Sequence, residues 1–241
     1  MNHLLPTATT TDERERQASI ALLPVGSFEQ HGDHLPLITD TIVATAIARE
    51  LAAAYPLLLL PPVTISCSHE HSAWPGTASI SARTLYSVVT DVFDSITRNG
   101  ITALVVVNGH GGNYVLGNMV QEANATGRPM ALFPQNADWN EARTAGGLTT
   151  TASEDMHAGE IETSLLLHVA PDLVRDGYQN ADHLADDRRH LHTTGMQHYT
   201  RSGIIGRPSL GTAEKGKAVL DSLVQSFAPV LALFAASSNS R

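Results

Sequence analysis

Short apolar runs alternate along the chain with stretches whose apolar residues recur at helical spacing. The first run, 20–25, ends in Gly26-Ser27 and reads as a buried strand followed by a turn. An alanine-rich stretch over 41–55 predicts a helix with Asp40 as its N-cap. The next run, 57–63, is broken by Pro61 and Pro62. Over 82–99, Leu85, Val88, Val89, Val92, Phe93 and Ile96 fall on one helical side, and Asn99-Gly100 supplies the stop. Residues 101–107 form the clearest strand, continuously apolar as expected of a parallel strand covered on both faces. A helix over 113–126, a short strand over 130–133 and a loop-rich stretch through 151 come next. A helix over 160–169, closed by Pro171, and a last helix over 214–234 complete the order. Strand-helix alternation predicts an α/β fold, a three-layer α/β/α sandwich with a mostly parallel sheet. The expected organisation is one domain over 18–235, with 1–17, the Thr-rich segment 144–153 and the tail 236–241 as mobile parts.

Charge and composition narrow the function. The 241 residues carry 15 Lys+Arg against 24 Asp+Glu, a formal charge of −9. That excess, without a Lys/Arg stripe, argues against nucleic-acid and anionic-membrane partners. The N-terminal segment has no apolar run of signal-peptide length and the other apolar runs are short, so the expected location is cytoplasmic. The single cysteine, Cys67, cannot form an intrachain disulfide. Twelve histidines is the unusual count, and several lie beside carboxylates in Gly-rich segments, which points to a metal site.

In open parallel sheets ligands bind outside the carboxyl ends of the strands, and three polar clusters fall where such ends or helix starts are expected. The first is Gly26-Ser-Phe-Glu-Gln-His-Gly-Asp-His-Leu-Pro-Leu-Ile-Thr-Asp40, the second Asn108-Gly-His-Gly-Gly-Asn113, the third His157-Ala-Gly-Glu-Ile-Glu-Thr-Ser164. Singly, each has a plainer reading as a cap, a strand-to-helix turn or a first helical turn. Together they supply a mixed nitrogen and oxygen donor set suited to Zn²⁺ or Mn²⁺. A rival reading is a noncatalytic protein whose Gly-rich loop 109–112 cradles an anion or small molecule at a helix N-terminus. Glu29 and Asp40 weigh against it, because their charge would weaken an anion cradle.

These three segments, with Trp74-Pro-Gly-Thr77 between the first two, resemble the creatininase family of metal-dependent amidohydrolases, in family order and over roughly residues 18–235. The long first motif is very specific; the Gly-rich motif alone is weak. The resemblance implies two divalent ions per subunit, Zn²⁺ or Mn²⁺ with Fe²⁺ also suited. Glu29 and His110 would bind one, His31 the other, and Asp40 both. In creatininase the second ion's glutamate lies two residues after the histidine of the Gly-rich motif, where this chain has Gly112. Glu160 is the expected replacement, His157 matches the family's catalytic histidine, and Glu162 falls on a family position expected to orient a ligand or His157. The activity implied is hydrolysis of a C–N amide bond by metal-activated water, with no serine or cysteine nucleophile.

His69, Glu70 and His71, before Trp74, lie where family members shape the substrate pocket, and Trp74 or Trp139 could cover a flat ligand. The tryptophans that close over creatinine align near Asn136 and Ser153, which argues against creatinine itself. Other branches open a cyclic amide or ketone, cleave a formamide, or trim a peptide precursor during mycofactocin maturation. The expected partner is therefore a small molecule or short peptide. The resemblance also implies a homo-oligomer, often a hexamer. His183, His190, His192 and His198 sit in a polar stretch and read as solvated loop residues, the alternative being a loop at a subunit interface or near the pocket mouth.

Overall fold

The computed structural model describes residues 5–238. In chain order the helices and strands are α1 (Thr10–Arg16), β1 (Ile20–Val25), α2 (Thr39–Ala54), β2 (Leu58–Leu59), α3 (Ala82–Thr97), β3 (Ala103–Asn108) and α4 (Val115–Ala125). Then come β4 (Met130–Phe133), α5 (Asn136–Ala145), α6 (Glu160–Val169), α7 (Leu191–Thr194), α8 (Ala213–Ser226) and α9 (Ala228–Ser238). The strands pair in parallel in the order β2-β1-β3-β4.

Side chains alternate across a strand, so each central strand feeds two cores. Leu22, Val105 and Val107 face one side, where Ile47 and Leu51 of α2, Leu165 and Leu166 of α6 and Leu223 of α8 cover them. Ala21, Leu23, Leu104 and Val106 face the other, against Leu85, Val89 and Phe93 of α3 and Leu116 and Met119 of α4. The architecture is thus the three-layer α/β/α sandwich that the apolar pattern predicts.

Several local expectations differ. Helix α2 begins at Thr39, so Asp40 lies inside the first turn instead of capping it; Thr39 N and Oγ1 both donate to Pro36 O and start the helix early. Of the run 57–63, only Leu58–Leu59 forms a strand, because Pro61 and Pro62 have no N–H to give the ladder. The stretch expected to be loop-rich contains α5, opened by a capping box between Gln135 and Asp138. The Thr-rich segment is tied down, since Thr150 is buried and bonds Glu160. Segment 1–17 carries α1, capped by Thr9 and Asp12 and with no buried residue; residues 1–4 and 239–241 lie outside the described residues. The final helix is divided at Phe227, just before Pro229, into α8 and α9. The stretch Ala213–Ala235 is long and apolar enough to cross a membrane by length and composition. Yet Val219, Leu220 and Leu223 of α8 are buried, and this helix packs on α5 and α6.

Strand β1 leads to β2 on one side, while β3 pairs on its other side, so the carboxyl ends of β1 and β3 lie together at the point where the strand order reverses. Two glycines let both strand ends close on the start of α2. A Cβ at Gly26 would come within 2.3 Å of the Thr41 backbone, and one at Gly109 within 2.3 Å of Asp40 O. Only glycine permits that approach, and it sets Glu29, His110 and Asp40 around one point.

Candidate active site

Glu29 and His31 stand on the loop after β1, Asp40 in the first turn of α2, and His110 just after β3. His157 and Glu162 arrive from the segment that opens α6, and His71 from a turn spanning His69–His71. Glu29, His31, Asp40, His71, His110 and His157 are all buried. Asp40 sits between two imidazoles: Oδ1 is 3.1 Å from His31 Nε2 and Oδ2 is 3.1 Å from His110 Nδ1. Glu29 Oε1 is 3.2 Å from His110 Nδ1, 3.2 Å from His71 Nε2 and 3.8 Å from His157 Nδ1. Glu162 Oε1 is 3.8 Å from His31 Nε2.

The backbone fixes which nitrogen of each ring faces inward. His31 Nδ1 donates to Glu29 O at 3.0 Å and His110 Nε2 to Cys67 O at 2.8 Å. His157 Nε2 donates to Gln30 O at 2.6 Å. In their neutral forms the inward nitrogens, His31 Nε2, His110 Nδ1 and His157 Nδ1, then carry lone pairs that point at carboxylate oxygens. Lone pairs facing lone pairs across 3.1 Å need a cation between them, either a proton or a metal ion. Both oxygens of buried Glu29 lack a hydrogen-bond partner, an arrangement that costs several kcal/mol without one. Two donor groups that could each hold a metal share Asp40: Glu29, Asp40 and His110, and His31, Asp40 and Glu162. A third, of Glu29, His31 and His157, overlaps them. The hydroxyl of Ser27, which reads in the sequence as a turn residue, donates to Asp40 Oδ2.

The electrostatics follow from burial among acids. Burial opposes a charge on His31, but Asp40, Glu162 and Glu29 together push its pKa up to about 10. His110 is likewise desolvated and yet raised well above the ordinary range by Glu29 and Asp40. His157 is held well below it by burial and by His31 and His71 nearby. Burial, reinforced by the charge of Asp40, pushes Glu162 up to about 8 against the pull of His31. Without metal, then, protons on His31 and His110 occupy the inward positions; His157 stays neutral with a free Nδ1.

One expected ligand is displaced. Glu160 is buried but turned away from the cluster, accepting from Thr149 N, from Thr150 N at 3.0 Å, from Thr150 Oγ1 at 2.6 Å and from Lys215 Nζ at 2.5 Å. Positions 160 and 162 are about 200° apart around a helix, so only one can face the strand ends. Glu162 does so, with Oε2 accepting from Ala158 N. Ala158 holds φ at 52°, a left-handed value unusual for a residue with a Cβ, and that kink aims His157 and the first turn of α6 inward.

The expected substrate residues divide. His71 reaches the cluster, with Trp74 beside it at 6.4 Å between ring centroids. His69 and Glu70 line a cleft of about 410 Å³ together with Tyr114 and His192. Glu70, whose pKa burial raises, lies 3.7 Å from His110 Nε2, and its Oε1 is 2.1 Å from where a Cβ at Gly112 would sit. Trp139, by contrast, packs against the core under α5 and does not line this cleft. His192, which reads in the sequence as a solvated loop residue, meets the Tyr114 ring at 4.8 Å. Its place lies with the alternative reading of that stretch as a loop near the pocket mouth.

The family model described as Creatininase, creatinine amidohydrolase, matches residues 6–231. The chain belongs to the creatininase family. It is a family of amidohydrolases acting on C–N bonds, and this member is a hydrolase of that kind. It is 36% identical over 91% of its length to the mycofactocin precursor peptide peptidase of Mycobacterium ulcerans, covering 87% of that protein. It is 25% identical to the creatinine amidohydrolase of Pseudomonas putida, covering 88% of each chain. Among solved structures, a Mn form of creatininase superposes with a TM-score of 0.77 at 24% identity, covering 93% of this chain and 95% of that one. A Zn-Zn form of a creatininase variant gives 0.76 at 23%, covering 96% and 98%. This creatininase fold is the α/β/α sandwich described above.

Proposed function

We propose that the chain is a dinuclear metal-dependent amidohydrolase whose substrate is the amide bond of a short peptide. The observation that carries the chemistry is the pair of donor groups sharing Asp40 around the partnerless carboxylate of Glu29. Glu29, His110 and Asp40 would hold one ion, and Asp40, His31 and Glu162 the other. Ions of the Zn²⁺ or Mn²⁺ type suit these donors; once bound, they polarise an amide oxygen and lower the pKa of a water from ~15.7 toward ~7.

The chain's own residues do the rest. His31 and His110 must release their inward protons for the donors to serve. His157 is neutral, with Nε2–H held by Gln30 O and Nδ1 facing the cluster. It can therefore take a proton at Nδ1 and return it to the leaving nitrogen. The two carboxylates weigh against the anion cradle, since an anion at 109–112 would stand close to Asp40. The peptide class is supported by the relative named for a precursor peptide, and by the cleft of about 410 Å³ lined by Glu70, which itself lies 3.7 Å from His110 Nε2.

The test is elemental analysis after dialysis and reloading with Zn²⁺ or Mn²⁺, followed by assay on the mycofactocin precursor peptide and on creatinine. About two ions per subunit and cleavage of the peptide are expected. Failure to take up metal would sink the reading; turnover of creatinine alone would overturn the substrate class.

A further inference from the structure

Four histidines crowd this centre, and one is wired differently from the others. The Gln30 side chain is buried, and its amide orientation is set at both ends. Gly32 N donates to Oε1 at 2.9 Å, while Nε2 donates to Gly203 O at 3.0 Å. The second hydrogen of that same Nε2 points at His71 Nδ1, 2.9 Å away. An amide N–H can only donate, so His71 Nδ1 must accept, and the proton of the neutral ring belongs on Nε2. Reversing the amide would leave two acceptors facing each other at Gly203 and two donors at Gly32. His71 Nε2–H therefore stands 3.2 Å from Glu29 Oε1, whereas neutral His157, and His31 and His110 once they release their inward protons, bring lone pairs to the same centre. Gln30 thus sets two rings in opposite senses, His157 by its carbonyl and His71 by its side chain.

We propose that His71 is a positioning residue and not a metal ligand: a neutral Nε2–H donor, locked by Gln30, that holds the Glu29 carboxylate in place. Glu29 is the site's weak point, a buried carboxylate whose oxygens make no aligned hydrogen bond, and the His71 ring nitrogen at 3.2 Å is the N–H that Gln30 directs toward it. A nearby N–H limits its rotation and leaves the remaining lone pairs for a cation. Partners that orient a ligand in this way are worth about 10–100-fold in metal affinity.

The proposal rests on the metal-centre reading for its consequence but not for its geometry, and two measurements keep them apart. In metal-free wild-type protein with ¹⁵N-labelled histidine, two-bond ¹H–¹⁵N spectra should show neutral His71 protonated at Nε2; the His71→Gln spectrum assigns the signals. Protonation at Nδ1 overturns the proposal whether or not metal binds. Zn²⁺ titration of the metal-free proteins should then show His71→Ala binding about 10–100-fold more weakly with unchanged stoichiometry. His71→Gln, which keeps an N–H in reach, should recover most of that affinity. Loss of one equivalent of metal in His71→Ala would make His71 a ligand and overturn the proposal, as would unchanged affinity. If wild-type protein binds no Zn²⁺ at all, the function proposed above fails, and the spectra still decide the tautomer.

Discussion

Two buried polar regions meet at the start of α6, and they are built on opposite plans. Around Glu160 every charge is answered: Lys215 and Thr150 hold its carboxylate, and Arg143 Nη2 donates to Asp155 Oδ2 at 2.7 Å. Asp155 in turn accepts from Glu160 N at 2.6 Å and Ile161 N at 3.0 Å, closing the N-terminus of the helix. Two residues on, Glu162 faces His31 and Asp40 in a region where acceptors converge and the oxygens of Glu29 have no partner. Burial is the same in kind, but saturation differs. The saturated network stabilises the fold; the unsaturated one is stable only with protons or an added cation in it.

That contrast can be broken most sharply by exchanging carboxylate for amide on each side. Glu162→Gln should lose about one ion per subunit. Turnover should fall by about 10³, the several kcal/mol that one ion contributes to the transition state. Glu160→Gln should keep both ions but leave Lys215 without its counter-charge, costing about 1–3 kcal/mol in denaturant unfolding. If Glu160→Gln is the variant that loses metal, the two regions have been assigned the wrong way round.

Next in size is His157→Asn, which tests whether the third donor group is a binding site or a proton path. Metal content should be unchanged by elemental analysis, while kcat drops by about 10²–10⁴. Loss of an ion instead would place His157 among the ligands with Glu29 and His31.

The same contrast governs what is legible in the sequence. The saturated strands and helices announce themselves through apolar periodicity, and Glu29, His31, Asp40 and His110 are marked by their motifs at strand ends. The choice between Glu160 and Glu162 was not, because it depends on Lys215, 55 residues further along, and on Thr149 and Thr150 in a segment that reads as loop. Likewise nothing in His69-Glu70-His71 separates the one histidine that Gln30 orients from the one that lines the cleft. Trp139 shows the reverse case: an aromatic near a polar site reads as a lid, while in α5 it packs half-buried against the core.

The smallest expected effect sharpens the boundary between the regions. His34 is buried with Nε2 3.2 Å from Thr163 Oγ1 on α6, and burial, then the charge on His31, lowers its pKa to about 4. The folded metal-free protein keeps this ring neutral while the unfolded chain protonates it near pH 6.5. Its contribution to stability is thus fully present above pH 6.5 and is lost as pH falls toward 4. His71, lowered to about 4 mainly by burial, acts in the same direction, so the total slope belongs to more than one ring. His34→Gln should remove at most one proton from that slope, measured as the pH dependence of urea unfolding between 6.5 and 4. An unchanged slope would mean that His34 reaches solvent or protonates within the fold, and that the unsaturated region stops short of α6 on this side.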